Sequence, residues 1–303
     1  MSWQEERLLA RLRKRSTPEV LRTPLGHDAA ALELGRAPVV CVDATVEGVH
    51  VEPGERPAAF AAKAVLRTLS DLAAAGARPR ALLLALRAPR DAEEARLAAL
   101  LRGVERTGRR WGAELVGGDC TAAPGPISLT VTAIGVLARG ARPVSRSGAR
   151  PGMVAVVTGP LGGSRLGRHL RPVPRLEQGE AFAAAGAGAL MDLSDGLARD
   201  ASRLAATSGV ALELDLGAIP LHRDAHRAAR SSGSLPVQHA LHDGEDHELL
   251  ALLPERAWTR LSGRPELRGA CVVGRACAGR GLWLLDAGVR RRWDGDGGWT
   301  HGE

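Results

Sequence analysis

Seven acidic residues stand in glycine-rich or strand-end settings along the sequence: Asp28, Asp43, Asp71, Asp119, Asp192, Asp195 and Glu245. Carboxylate oxygens are the ligands of hard cations such as magnesium, which keep several waters and bridge phosphate oxygens. A site with several ions on one polyphosphate needs carboxylates gathered from different segments. Taken singly, each residue has a plainer reading, because Asp at a strand end caps a helix or a turn. Asp195, in Ser194-Asp195-Gly196, stands where it would cap the helix that follows. Asp71 is the most informative of the set. It adjoins Leu69, Leu72 and Ala73, so its carboxylate must be paired, hydrogen-bonded or on a metal. The alternative is an i, i−4 pair with Arg67 on a solvated face. The stretch from Thr158 to Ser164 has the glycines of a phosphate cradle without the Gly-Lys-Ser/Thr ending of a P-loop, and read alone it is an ordinary turn. No dinucleotide fingerprint or nucleophile elbow occurs.

The elements that must position these residues can be read from the apolar pattern. A buried strand is expected at 39–42, ending at Asp43. A helix at 57–75 opens with Pro57 in its first turn and stops at Gly76. A strand at 81–86 follows. Asp91 then caps a second helix, with Glu94 as its reciprocal residue and Leu97, Leu100, Leu101 and Val104 on one face. A strand at 114–116 runs into Gly117-Gly118-Asp119, and 127–136 forms another. A turn-rich basic stretch at 139–152 separates two halves. The second half has strands at 153–157 and 190–193, a helix to Thr207 ended by Gly209, a half-buried strand alternating from Val210 to Leu216, and a strand at 248–253 after the acidic turn Asp243-Gly244-Glu245-Asp246. Strands alternating with helices in both halves predict an α/β or α+β enzyme, with domains at 1–140 and 141–303.

Composition narrows the classes. The 303 residues are 45% apolar and 25% charged, as in globular proteins. Two Phe and no Tyr make the core aliphatic. The net charge of +7 comes from arginine, since Lys14 and Lys63 are the lysines. The arginines are spread along the chain, and no basic block is interleaved with aromatics, so nucleic-acid binding has little support. Cys41, Cys120, Cys271 and Cys277 form no CxxC pair, which argues against structural zinc and for a reducing cytosol. The N-terminal stretch lacks a signal-peptide core, and no apolar run reaches the ~20 residues of a spanning helix. A cytoplasmic protein with no membrane partner is expected.

In order along the chain, nine segments resemble the thiamine-monophosphate kinases, a family in the superfamily of aminoimidazole ribonucleotide synthetase. They are GHDAAAL at 26–32, DATVEGVH at 43–50, LSDLAAAGARP at 69–79, GGDCT at 117–121, RSGARPG at 146–152, TGPLGGS at 158–164, HLRPVPR at 169–175, MDLSDGL at 191–197 and DGEDHEL at 243–249. The resemblance implies the two-domain PurM-like architecture, an N-terminal half that dimerises, and transfer of the γ-phosphoryl group of ATP onto the phosphate of thiamine monophosphate. It implies magnesium on Asp28, Asp43, Asp71, Asp119, Asp192 and Asp195, with Ser194 adding an oxygen. Gly118 and Asp119 would meet ATP, Arg146 and Asp195 would act on the transferring phosphoryl group, and His50, Glu245 and Trp299 would hold the thiamine substrate. The chain departs from the family at His27, where a second Asp is usual, and at Cys41 and Val42, where Ser and Thr are usual. Gly163 replaces an Asp, and His247 replaces a Tyr. These departures leave open an ATP-dependent enzyme of the same fold with another acceptor, or a nucleotide-binding protein with an eroded site.

Overall fold

The computed structural model describes residues 30–31, 38–295 and 297–298, so Asp28 and Trp299 lie outside the described residues. The first half builds a sheet from β1 (Ala30–Ala31), β2 (Pro38–Val46), β3 (Arg78–Ala88), β4 (Glu114–Ala122) and β5 (Ser128–Val136), in the order β1-β2-β5-β3-β4. β3 and β4 run parallel and the other neighbours antiparallel. β5 alternates along its length, with Leu129, Val131 and Ala133 buried, as a sheet with one covered face requires. That face packs on α1 (Pro57–Ala74) and α2 (Glu94–Arg110) through Phe60, Leu69, Leu72, Leu100 and Val104. On the other face Val42 and Leu83 flank Thr132 of β5, and Val42, Leu83 and Val116 are 59%, 37% and 61% exposed.

The second half builds a larger sheet from β6 (Met153–Val157), β7 (Ala189–Asp192), β8 (Ala211–Asp215), β9 (Leu249–Pro254), β10 (Cys271–Cys277), β11 (Gly281–Asp286) and β12 (Val289–Arg292), in the order β12-β11-β8-β10-β6-β9-β7. β6 and β9 are continuous apolar runs, the signature of strands covered on both faces. One face meets α4 (Leu197–Ser208) and α6 (Pro236–His242), the latter packed against α5 (Arg223–Ser232). The other meets α3 (Leu176–Ala184), α7 (Glu255–Leu261) and the end of α1. The mixed α/β fold expected from the sequence is therefore present in both halves.

α1 belongs to both. It starts on Pro57, is rich in alanine, and is buried almost all round, with Lys63, Arg67 and Asp71 as its charged residues. Ala73 and Ala74 join Val154, Val156, Phe182 and Leu190 in one cluster. Gly179 makes the seating possible, since a Cβ there would lie 2.0 Å from the Ala73 carbonyl oxygen. The last turns of α1 thereby lie between the two sheets, with Leu69 and Leu72 on the first and Ala73 and Ala74 on the second.

Several local expectations are corrected. β2 continues past Asp43 to Val46, and Gly117-Gly118-Asp119 lie within β4 rather than after it. α2 starts at Glu94 with no side-chain cap, so Asp91 is not its cap. α4 is preceded by Gly196, again with no side-chain cap, so Asp195 is available for other work. Among the described residues no helix is long and apolar enough to cross a membrane.

Candidate active site

Three carboxylates converge where α1 is pressed between the halves. Asp43 comes from the middle of β2, Asp71 from the last turn of α1, and Asp192 from the end of β7. Ser70 Oγ donates to Asp192 Oδ2 at 3.0 Å, tying α1 to the second sheet. Arg67 does not pair with Asp71. It crosses to β2, with Nε 3.3 Å from Asp43 Oδ2 and Nη1 donating to the Ala44 carbonyl at 3.3 Å. His247 Nδ1 lies 3.3 Å from Asp192 Oδ2.

The electrostatics show a surplus of negative charge. Burial, then the charges of Asp43 and Asp192, push the Asp71 carboxyl well above the ordinary range, with Arg67 opposing. Asp43 is also raised, chiefly by burial and against Arg67. Burial pushes Asp192 up too, but His247, Arg146 and Ser70 outweigh it and hold that carboxyl low. Thr45 Oγ1, on the same side of β2 as Asp43, and His247 Nε2 are buried without a hydrogen-bond partner. Crowded carboxylates with too few cations, beside orphaned polar atoms, fit a hard cation. Among the described residues no three acidic, His or Cys groups already form a chelating cluster.

A second acidic zone adjoins the first. Asp195 pairs with Arg203, and its N–H donates to Asp200 Oδ2 at 2.9 Å. Asp200 is wholly buried, and burial followed by the charge of Asp195 pushes its carboxyl up to about 8. Arg146 feels the charges of Asp192, Asp200 and Asp195, although burial lowers its own pKa. Ser194 is half-buried in the loop between β7 and α4, and its carbonyl accepts the Glu245 N–H at 2.7 Å.

His50 and Glu245 meet at Lys63, two turns back from Asp71 on α1. His50 accepts the Val46 N–H on Nδ1 at 3.0 Å, which leaves the proton on Nε2 of the neutral ring. Its carbonyl accepts from Lys63 Nζ at 2.6 Å, and Nζ lies 2.5 Å from Glu245 Oε1. Glu245 sits in the left-handed region with φ 54°. In the glycine-rich stretch at 158–164, the N–H groups of Gly162 and Gly163 are already taken. Gly162 N–H donates to Asp246 at 3.0 Å and Gly163 N–H to Asp243 at 2.9 Å, so the chain's own carboxylates fill that cradle.

Asp119 and Gly118 stand apart. They lie on the exposed strand β4, where Asp119 accepts from Thr121 Oγ1 at 2.8 Å. Asp119 is not among the charges that act on Asp71. A Cβ on Gly118 would lie 1.9 Å from the Leu84 carbonyl oxygen of the neighbouring strand. The departures from the family also sort by position. Cys41 turns its thiol inward to the Thr68 carbonyl at 3.2 Å, and burial raises its pKa. Val42 faces outward. A Cβ on Gly163 would lie 2.3 Å from the Asp224 backbone. Only His247 of these four touches the acid cluster.

Sequence reasoning missed Thr45, Ser70, Asp200 and Arg203 as parts of the site. Lys63 offered a signal, as one of two lysines in the chain and set in an alanine-rich helix.

The family model for the N-terminal domain of AIR synthase related proteins matches residues 26–137. A thiamine-monophosphate kinase of Rhodopirellula baltica is 34% identical over 99% of this chain and 98% of its own. That of Escherichia coli is 35% identical over 84% of each chain. The solved structure of AaThiL complexed with AMPPCP and TMP superposes with a TM-score of 0.86 at 30% identity, covering 98% of this chain and 97% of that one. Agreement of this extent, through both sheets and the helix between them, makes the chain a member of the thiamine-monophosphate kinase family.

Proposed function

We propose that this chain transfers the γ-phosphoryl group of ATP directly to the phosphate of thiamine monophosphate, giving thiamine diphosphate. The observation that carries the reading is the meeting of Asp43, Asp71 and Asp192 from three segments, beside the orphaned Thr45 Oγ1 and His247 Nε2. Asp43, Asp71, Asp192 and Asp195 would hold magnesium, with Asp28 and Asp119 completing the set by resemblance. Magnesium held there would supply charge neutralisation for the polyphosphate and for the charge that develops on transfer. The acceptor is already an anion, so the site needs positioning rather than a strong base. Arg146, set among Asp192, Asp195 and Asp200, is the fixed cation for the phosphoryl oxygens. Gly118 and Ser194 approach the nucleotide, and His50, Glu245 and Trp299 hold the thiamine.

We read residues 1–140 and 141–303 as the domains of a cytoplasmic homodimer. Val42, Leu83 and Val116, apolar and exposed on an uncovered sheet face, are the surface on which two copies pair. Incubation with ATP, magnesium and thiamine monophosphate, read by chromatography of the products, tests the activity. Thiamine diphosphate is expected. A protein that binds ATP and makes none refutes the acceptor. His247, paired with Asp192 where the family has Tyr, supports a second reading in which another phosphorylated small molecule is the acceptor, and the same assay over such molecules separates the two.

A further inference from the structure

Lys63, Arg67 and Asp71 stand four residues apart on α1, so one helix face presents them in a row, about 6 Å per step along the axis. At its Asp71 end the row meets the acid cluster. At its Lys63 end it meets a group of different sign. Lys63 is wholly buried, and the charges acting on it are those of Glu245, then Arg67 and Arg165. His169 in turn feels Lys63, Glu245 and Arg165. Its Nδ1 lies 3.0 Å from the Ser164 carbonyl, and Ser164 Oγ donates to the Gly244 carbonyl at 2.6 Å. The segment that bears His169 is therefore tied to the loop that bears Glu245.

Glu245 is the carboxylate that meets this basic group. Burial would force the Lys63 ammonium to lose its proton and the Glu245 carboxylate to gain one, but a contact of 2.5 Å keeps both as ions. A buried ion pair is exchangeable when a ligand brings both replacement charges at once, because neither ion is then left alone. The acceptor of the preceding section, on which this inference rests, has that form: a phosphate at one end and a quaternary ring nitrogen at the other.

We propose that Lys63 and Glu245 exchange partners when the acceptor binds: Lys63, with Arg165 and His169, seats the acceptor phosphate, and Glu245 turns to the cationic ring of the same molecule. The exchange adds to the pocket only about one negative charge or less, because the cationic ring offsets part of the phosphate's roughly −1.5 to −2. It makes selection depend on the two charges together. Thiamine alone offers Glu245 a partner and strands Lys63. Inorganic phosphate offers Lys63 a partner and strands Glu245.

Calorimetric titration of the full chain tests this, with thiamine monophosphate, thiamine, inorganic phosphate and a non-hydrolysable ATP analogue as probes. Wild type is expected to bind thiamine monophosphate at least about tenfold more tightly than thiamine or inorganic phosphate. Glu245→Gln removes the resident anion, so inorganic phosphate should bind about tenfold more tightly than to wild type while thiamine monophosphate weakens. An ion pair that no phosphate can reach would give no such gain. Lys63→Met should weaken thiamine monophosphate by about tenfold or more with the ATP analogue unaffected, and Lys63→Arg should recover part of the loss. The proposal is overturned if Glu245→Gln gains no phosphate affinity, or if Lys63→Met binds the ATP analogue and keeps its affinity for thiamine monophosphate. If Lys63→Met does not fold, the Glu245→Gln result decides. A wild type that ignores thiamine monophosphate while Glu245→Gln gains phosphate affinity upholds the seat and overturns the acceptor.

Discussion

Asp200 gives a prediction whose sign reverses with pH. It lies wholly buried in the first turn of α4, and its carboxyl is pushed up to about 8 from an ordinary 3.8. Between those values the unfolded chain is ionised while the folded protein keeps its proton. The unfolded state then binds fewer protons, and stability falls as pH rises. The contribution is fully present below about pH 4 and is lost once pH passes about 8. At about 1.36 kcal/mol per pH unit, keeping the proton costs about 4 kcal/mol at pH 7 and about 6 kcal/mol at pH 8. Asp200→Asn cannot ionise, and its carbonyl still accepts the Asp195 N–H, now at 2.9 Å from Oδ2. Its amide nitrogen, however, replaces the oxygen 3.4 Å from Arg203 Nη1, and a buried donor facing a cation costs about 1–3 kcal/mol. The variant should be less stable than wild type by about that amount at pH 4, and more stable by about 3–5 kcal/mol at pH 8, with the curves crossing near pH ~5. Urea unfolding at intervals from pH 4 to 8 measures both curves. A difference between the two proteins that stays constant over this range refutes the reasoning.

Three further outcomes follow from the geometry. Asp71→Asn removes one of three mutually repelling carboxylates, so it should raise stability without divalent ions, abolish the further gain on adding magnesium in thermal melts, and lower kcat by about 10²-fold or more. Gly179→Ala places a Cβ 2.0 Å from the Ala73 carbonyl oxygen; the forced separation of α3 from α1 should cost about 1–3 kcal/mol, read as a lower denaturation midpoint. Val42→Asp combined with Leu83→Asp puts charges on the open face of the first sheet and should shift the sedimenting species from dimer to monomer with the circular dichroism unchanged.

The sequence by itself determined the elements and the chemistry class. Pro57, the alanine run and Gly76 are sufficient to mark α1, because caps and periodicity are local properties. The alternation of Leu129 and Val131 marks β5 as half-covered, and the unbroken apolar runs at β6 and β9 mark strands buried on both faces. Nine short motifs in order pointed to phosphate-to-phosphate transfer. What the sequence did not determine was which charges face each other. Arg67 stands four residues before Asp71, yet it pairs with Asp43, since β2 sets that carboxylate 3.3 Å from its Nε. The glycine stretch looks like a phosphate cradle until Asp243 and Asp246, some eighty residues on, fill it. Lys63 and Glu245 lie in different halves, and only the docking of α1 between the two sheets makes them a pair. Backbone preference acts over a few residues and is written locally. Ion pairing acts between whatever surfaces packing brings into contact, so the tertiary structure alone decided it.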